Sequence, residues 1–146
     1  ALGFVSGVDL LDYNSSGPYY DDLNFPLNTL DLYRYSDASF TAGVNDLSAD
    51  TRDKYFSIDG GTTNLAYFSE GVTHGDGRQA SHWRDNLGIG IMDPTAAAGE
   101  TLAVSSLDIQ AFDVIGWDLA AVPEPATLTL VGLGLAALAY RKRRAV

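Results

Sequence analysis

The residues able to do chemistry are few. The chain has two histidines, His74 and His82, one methionine, Met92, and no cysteine. His82 and Met92 stand ten residues apart in SHWRDNLGIGIMDP, residues 81–94, joined through two glycines and ended by Asp-Pro. A neutral imidazole is the commonest protein ligand for zinc, and a catalytic zinc uses three protein ligands plus an open water position. Two imidazoles and no thiol cannot supply that set. A zinc site that includes His82 therefore draws its remaining ligands from residues outside this sequence, or there is no such site. His74, in THGDGRQ, reads as a loop or substrate-side residue and is the second choice as ligand. No residue within the chain reads as catalytic.

The elements that must position these residues are short. DKYFSIDGGTTNLAYFS alternates apolar and polar residues about Asp59-Gly60-Gly61, so Tyr55–Ile58 and Leu65–Phe68 are expected to form a hairpin. SSLDIQAFDVIGW carries Ser105 and, three residues on, Asp108 as a capping box. Leu107, Ala111, Phe112 and Ile115 come next on one helical face, and Gly116 is a stop. Trp117 is expected to pack beneath that helix. The stretch DLLDYNSSGPYYDDLNFPLNTLDLYRYSD reads as irregular loop with short turns. Within it Asp12, Asn14, Ser16 and Gly17 imitate half of a calcium loop, but Leu23 stands where a bidentate Glu is required, so a turn is the better reading.

Charge divides the chain. Up to Ala121 there are 18 acidic and 5 basic residues, a net of −13, and four of the nine basic residues cluster at Arg141, Lys142, Arg143 and Arg144. So acidic a body repels phosphate backbones, which excludes nucleic acid as a partner. The absence of cysteine excludes a disulfide framework. ALGFVSGVD at the start carries no initiator Met, and the chain reads as the downstream part of a longer protein. After Val122-Pro123-Glu124-Pro125, an extended joint, no residue from 126 to 140 is charged. Fifteen helical residues span about 22 Å, and snorkelling of the flanking basic side chains makes up most of a ~30 Å hydrocarbon core. A single transmembrane helix over about 126–140 is expected, its basic end in the cytoplasm.

The Pro-Glu-Pro joint, the Gly132/Gly134-containing apolar stretch and the basic end together resemble the PEP-CTERM sorting signal. That resemblance implies an exosortase-type partner, a Gram-negative host and export to the cell envelope or surface, with the helix held in the inner membrane before sorting.

The body carries a second resemblance. ALGF is similar to the segment immediately after the HExxH helix of metzincin metalloproteases, with Gly3 as the glycine after the second zinc-binding His. The usual third ligand would fall at Ser6, a poor zinc ligand, and Asp9 stands at the wrong spacing. SHWRDNLGIGIMDP resembles the leishmanolysin arrangement, in which a late His-Trp supplies the third ligand shortly before the Met-turn. SSLDIQAFDVIGWDL resembles the helix after that turn. The resemblance implies zinc, with His82 as third ligand, Met92 beneath the metal-binding imidazoles, and a peptide or protein substrate. Asp85 or Asp93 would be the acceptor for the second ring nitrogen of His82.

The expected architecture is thus α+β: residues 1–120 as the loop-rich C-terminal portion of a metalloprotease, with a hairpin and one helix after the Met-turn, and residues 121–146 as a sorting and anchor segment. Without HExxH the chain itself would be inactive and poorly stable. The alternatives are a non-enzymatic surface or matrix protein with an Asp-rich body and, third, a sugar- or ice-binding module. Ice binding favours regular Thr arrays, which the sequence lacks.

Overall fold

A computed structural model describes residues 3–14 and 27–118. The expected membrane helix, the Pro-Glu-Pro joint, the basic end and residues 15–26 lie outside the described residues. Among the described residues no helix is long and apolar enough to cross a membrane.

Aromatic packing builds the centre. Trp83, wholly buried, stacks on Phe68 at 5.2 Å between ring centroids and meets Phe4 and Phe56 edge-on at 5.3 and 5.6 Å. Such pairs contribute about 0.5–1.5 kcal/mol each beyond the area they bury. Around them runs a three-stranded antiparallel sheet in the order β1 (Arg34–Tyr35), β2 (Tyr55–Phe56), β3 (Ala66–Tyr67). Tyr55 pairs with both Tyr35 and Tyr67, and Phe56 with Arg34 and Ala66. The strands are only two residues long, and between β2 and β3 the chain passes through the broad loop that carries Asp59-Gly60-Gly61. There Ser57 and Thr63 hydroxyls both donate to Asp59. A Phe68–Trp83 bridge continues the sheet past β3, so residues 82–84 form its next edge.

Two short helices come early in the chain, one before β1 and one after it. α1, Val8–Asn14, replaces the irregular loop expected at its position. Val8 and Leu11, three apart, bury one face of it, and Asp31 ties down its start. The Asp31 carboxylate accepts from the Ser6 hydroxyl and from Gly7 N–H at 2.9 Å. A 3-10 turn, Thr29–Tyr33, leads into β1. α2, Asp37–Ala42, starts on a Ser36–Ser39 capping box and ends on Gly43, whose left-handed backbone is cheap only for glycine.

The last described element is α3, Ser106–Val114, capped by Ser105 and Asp108. Ala111 is fully buried, while Leu107, Phe112 and Ile115 pack against the core. Trp117 does not lie beneath α3. It is 52 % exposed, and its N–H donates to Phe112 O just past the helix end. The buried indole at this place belongs to Trp83, which already fills the space.

Candidate functional site around His82 and Met92

The edge carrying His82 is held by main-chain bonds at both of its polar groups. His82 N–H donates to Gln79 O at 3.0 Å, and its carbonyl accepts from Ser69 N–H at 2.9 Å. Side chains alternate along this edge, so Ser81 and Trp83 are buried and His82 between them is partly exposed. The chain then turns through Gly88 and Gly90, both at positive φ, and comes back until Trp83 N–H donates to Met92 O at 3.0 Å. His82 and Met92, ten residues apart in sequence, thereby flank one hydrogen bond.

A single carboxylate locks this turn. Asp108, with no exposed surface, accepts from the Trp83 indole N–H at 2.9 Å and from Ile91 N–H at 3.0 Å. It also accepts from the N–H and hydroxyl of Ser105, at 2.7 and 2.8 Å. Burial pushes its pKa up, but the hydrogen bonds from Ser105, Trp83 and Ile91 outweigh burial and hold it below the ordinary carboxylate value. Gly90 is required at this spot, because a Cβ there would fall 1.7 Å from Asp108 Oδ2. The capping-box pattern makes the Ser105–Asp108 bond legible in the sequence. Nothing in the sequence indicates that the same carboxylate reaches back to Trp83 and Ile91.

The start of the chain joins the same cluster. Phe4, one residue after Gly3, contacts Trp83 and also Phe112 of α3 at 5.8 Å. Gly3 has φ +91°, and its α-carbon faces Ile115. Ser6 is buried and occupied by Asp31.

Burial lowers the His82 pKa, while the negative charges of Asp9 and Asp93 act in the opposite direction without reversing the shift. Burial thus favours the neutral ring, the form a metal requires. Neither expected carboxylate bonds to it. Asp85 is taken up by Arg78 and by the Thr95 hydroxyl, each at 3.0 Å, and Asp93 accepts from Thr95 N–H at 2.9 Å. The near neighbour of His82 Nδ1 is the Ser81 hydroxyl, at 3.5 Å. His74 is exposed elsewhere, in a loop pinned by Asp12, whose carboxylate accepts Thr73 and His74 N–H at 2.8 Å each. That pair of bonds gives Asp12 a structural task in place of the calcium-loop pattern it imitates.

Among the described residues no three His, Cys, Asp or Glu side chains gather into a metal shell. An open basin of about 520 Å³ lies beyond Met92, lined by Asp85, Asp93, Thr95 and Glu100 together with Arg78; His82 is not part of its wall.

Comparison with known proteins finds the PEP-CTERM protein-sorting motif at residues 121–144. No curated protein and no solved structure matches the chain. The sorting motif marks an exported protein directed to the cell envelope or surface, and an exosortase-type enzyme is the partner that reads such a motif.

Proposed function

We propose that this exported, sorting-tagged protein is part of a zinc-dependent endopeptidase of the leishmanolysin-like metzincin type. In this reading residues 1–120 form its C-terminal portion, His82 is the third zinc ligand and Met92 lies in the turn beneath the metal. One observation carries the reading. The first of the three stretches that resemble the metzincin pattern lies far in sequence from the other two, yet all three form one packing unit. Phe4 after Gly3, Trp83 after His82, the Met92 turn and α3 meet through two ring contacts, one main-chain bond and the Asp108 carboxylate.

His82 suits the role because its ring is neutral, partly exposed and carried on a hydrogen-bonded edge. Bound zinc would lower the pKa of its water to ~7 and so provide a nucleophile for peptide hydrolysis. The chain contributes one imidazole, the packed turn below it, and the rigid edge that aims it. The other two imidazoles and the general base belong, in this reading, to residues outside the sequence. The membrane helix over about 126–140 and its cytoplasmic basic end, Arg141 to Arg144, would hold the protein until Pro123-Glu124-Pro125 is recognised.

The test begins with the coding sequence ahead of Ala1. His-Glu-x-x-His ending directly before it is the expected finding. The protein bearing that segment should then bind one zinc, and His82→Ala should abolish or sharply weaken binding. Another motif ahead of Ala1, or unchanged zinc stoichiometry in His82→Ala, overturns the reading and leaves a non-enzymatic surface protein.

A further inference from the structure

Arg34 is the one buried cation whose position calls for an explanation. Its side chain leaves β1 and runs into the core, and the residue is 1 % exposed. Among the described residues it makes no ion pair. Its guanidinium instead donates to two main-chain carbonyls, Ala80 O at 2.9 Å and Ser69 O at 3.1 Å, and lies 4.8 Å over the Phe68 ring. Its Nε finds no hydrogen-bond partner among the described residues. Taking a guanidinium out of water is costly. Desolvation draws Arg34 down to about 10, even though Asp31, Asp46, Asp9 and Asp76 pull the other way.

The two carbonyls explain the placement. Ala80 lies two residues before His82, and Ser69 is the residue whose N–H donates to the His82 carbonyl. Ser69 also donates its hydroxyl to Trp83 O at 2.9 Å. Ser69 and Ala80 are both fully buried, so the guanidinium rather than bulk water satisfies their carbonyls. One planar fork thus clamps together the two backbone segments that present His82. An ammonium lacks the fork, and a neutral side chain of this length lacks the donors.

We propose that Arg34 is a positioning residue for His82, acting through the Ser69 and Ala80 carbonyls to fix where the imidazole points. The inference rests on the zinc reading above. Partners that orient a metal ligand typically contribute 10–100-fold to metal affinity. Arg34 does so at one remove, through the backbone.

The experiment uses the full-length protein, including the residues encoded ahead of Ala1, and Co²⁺ as the probe. Co²⁺ affinity is measured by chelator competition, with the visible ligand-field spectrum, for wild type, His82→Ala, Arg34→Met, Arg34→Lys and Lys54→Met. Lys54 is a second fully buried cation, bound to Asp50 rather than to the His82 edge. It controls for loss of stability alone. Arg34→Met should weaken Co²⁺ binding about 10–100-fold and alter the spectrum, with Arg34→Lys recovering part of both. Lys54→Met should leave both as in wild type. If Arg34→Met does not fold, folded Arg34→Lys decides alone. Affinity within twofold of wild type and an unchanged spectrum overturn the proposal while the zinc reading stands. Wild type that binds no Co²⁺, or His82→Ala that binds as wild type does, overturns both.

Discussion

The Asp108 carboxylate allows the sharpest test of how this chain is held together. Asp108→Asn keeps the shape and removes the charge. The amide has one acceptor oxygen for four donors: the Trp83 indole, Ile91 N–H, and the N–H and hydroxyl of Ser105. Its better orientation puts that oxygen at Oδ2, where three of the four donors converge, and turns the NH₂ against the indole N–H. The orphaned indole costs about 1–3 kcal/mol, since Trp83 has no exposure to water. Loss of charge assistance on the other three bonds adds roughly another 1 kcal/mol. The sum, about 2–4 kcal/mol, is a large share of the ~5–15 kcal/mol typical of a domain. In urea, with m near 1–3 kcal/mol/M, the midpoint should fall by about 1–3 M with m unchanged. Trp83→Phe removes the indole donor, so the double variant should lose less than the sum of the singles, with a coupling of about 1–2 kcal/mol. A loss under about 1 kcal/mol for Asp108→Asn, or additivity within about 0.5 kcal/mol, would refute the placement of Asp108 at the centre of this turn.

The same geometry has other consequences. Gly90→Ala and Gly88→Ala both place Cβ at positive φ, but only the first runs into Asp108. Gly88→Ala should therefore cost about 1 kcal/mol and Gly90→Ala at least twice that in urea unfolding, and equal losses would contradict the close approach. Asp12→Ala should speed amide exchange at Thr73 and His74 by an order of magnitude or more, because their N–H groups lose a buried acceptor; unchanged exchange would show the loop to be held otherwise. Acid should destabilise the protein. Thr63 and Ser57 hydrogen bonds hold Asp59 at about 2, and Asp46 and Asp108 also lie below the usual carboxylate value. Groups depressed on folding contribute stability above the unfolded value of about 3.9 and lose it as pH falls through their folded values. Because burial also depresses His82, the urea midpoint should decline modestly as pH falls from 7 to 5 and drop more steeply below about pH 4, and a midpoint as high at pH 2.5 as at pH 5 would contradict this. Replacing Pro123-Glu124-Pro125 with three alanines should leave the protein unsorted in an exosortase-bearing host, as read by cell fractionation; normal sorting would remove that motif from recognition.

The features legible in the sequence are local. The Asp59-Gly60-Gly61 turn, the Ser105–Asp108 cap and the Gly116 stop each depend on residues within a few positions of one another. α1 is hidden because Asp9, Asp12 and Asn14 carry strong turn signals. Only two buried apolar residues, Val8 and Leu11, mark its helical face, and its anchor, Asp31, is more than twenty residues away. α2 is bounded by ordinary start and stop signals at Ser36, Ser39 and Gly43, yet it is short enough to pass for one more turn in a polar stretch. Trp83 rather than Trp117 is the enclosed indole for a different reason. Both sit beside polar residues, and only the Phe4–Phe56–Phe68 cluster, assembled over some sixty positions, decides which indole is enclosed. Arg34 gives no signal at all, since its acceptors are carbonyls that every residue possesses.

The acidity of the body now has a structural account that differs from a cation-binding surface. A chain with two-residue strands leaves many backbone N–H groups outside any ladder, and each buried one needs an acceptor. Aspartate reaches its local backbone better than glutamate does, and it serves here in turn after turn. Asp31 accepts from Gly7 and Asn28, Asp46 from Ser48, Asp76 from Glu70 and Arg78, and Asp108 from Ile91 and Ser105. These carboxylates do for irregular loops what strand pairing does for a sheet. An imidazole on a loop-rich scaffold is only as well aimed as the loops are stiff. The aspartates that make the chain so acidic are therefore also what allows the turn below His82 to hold one shape.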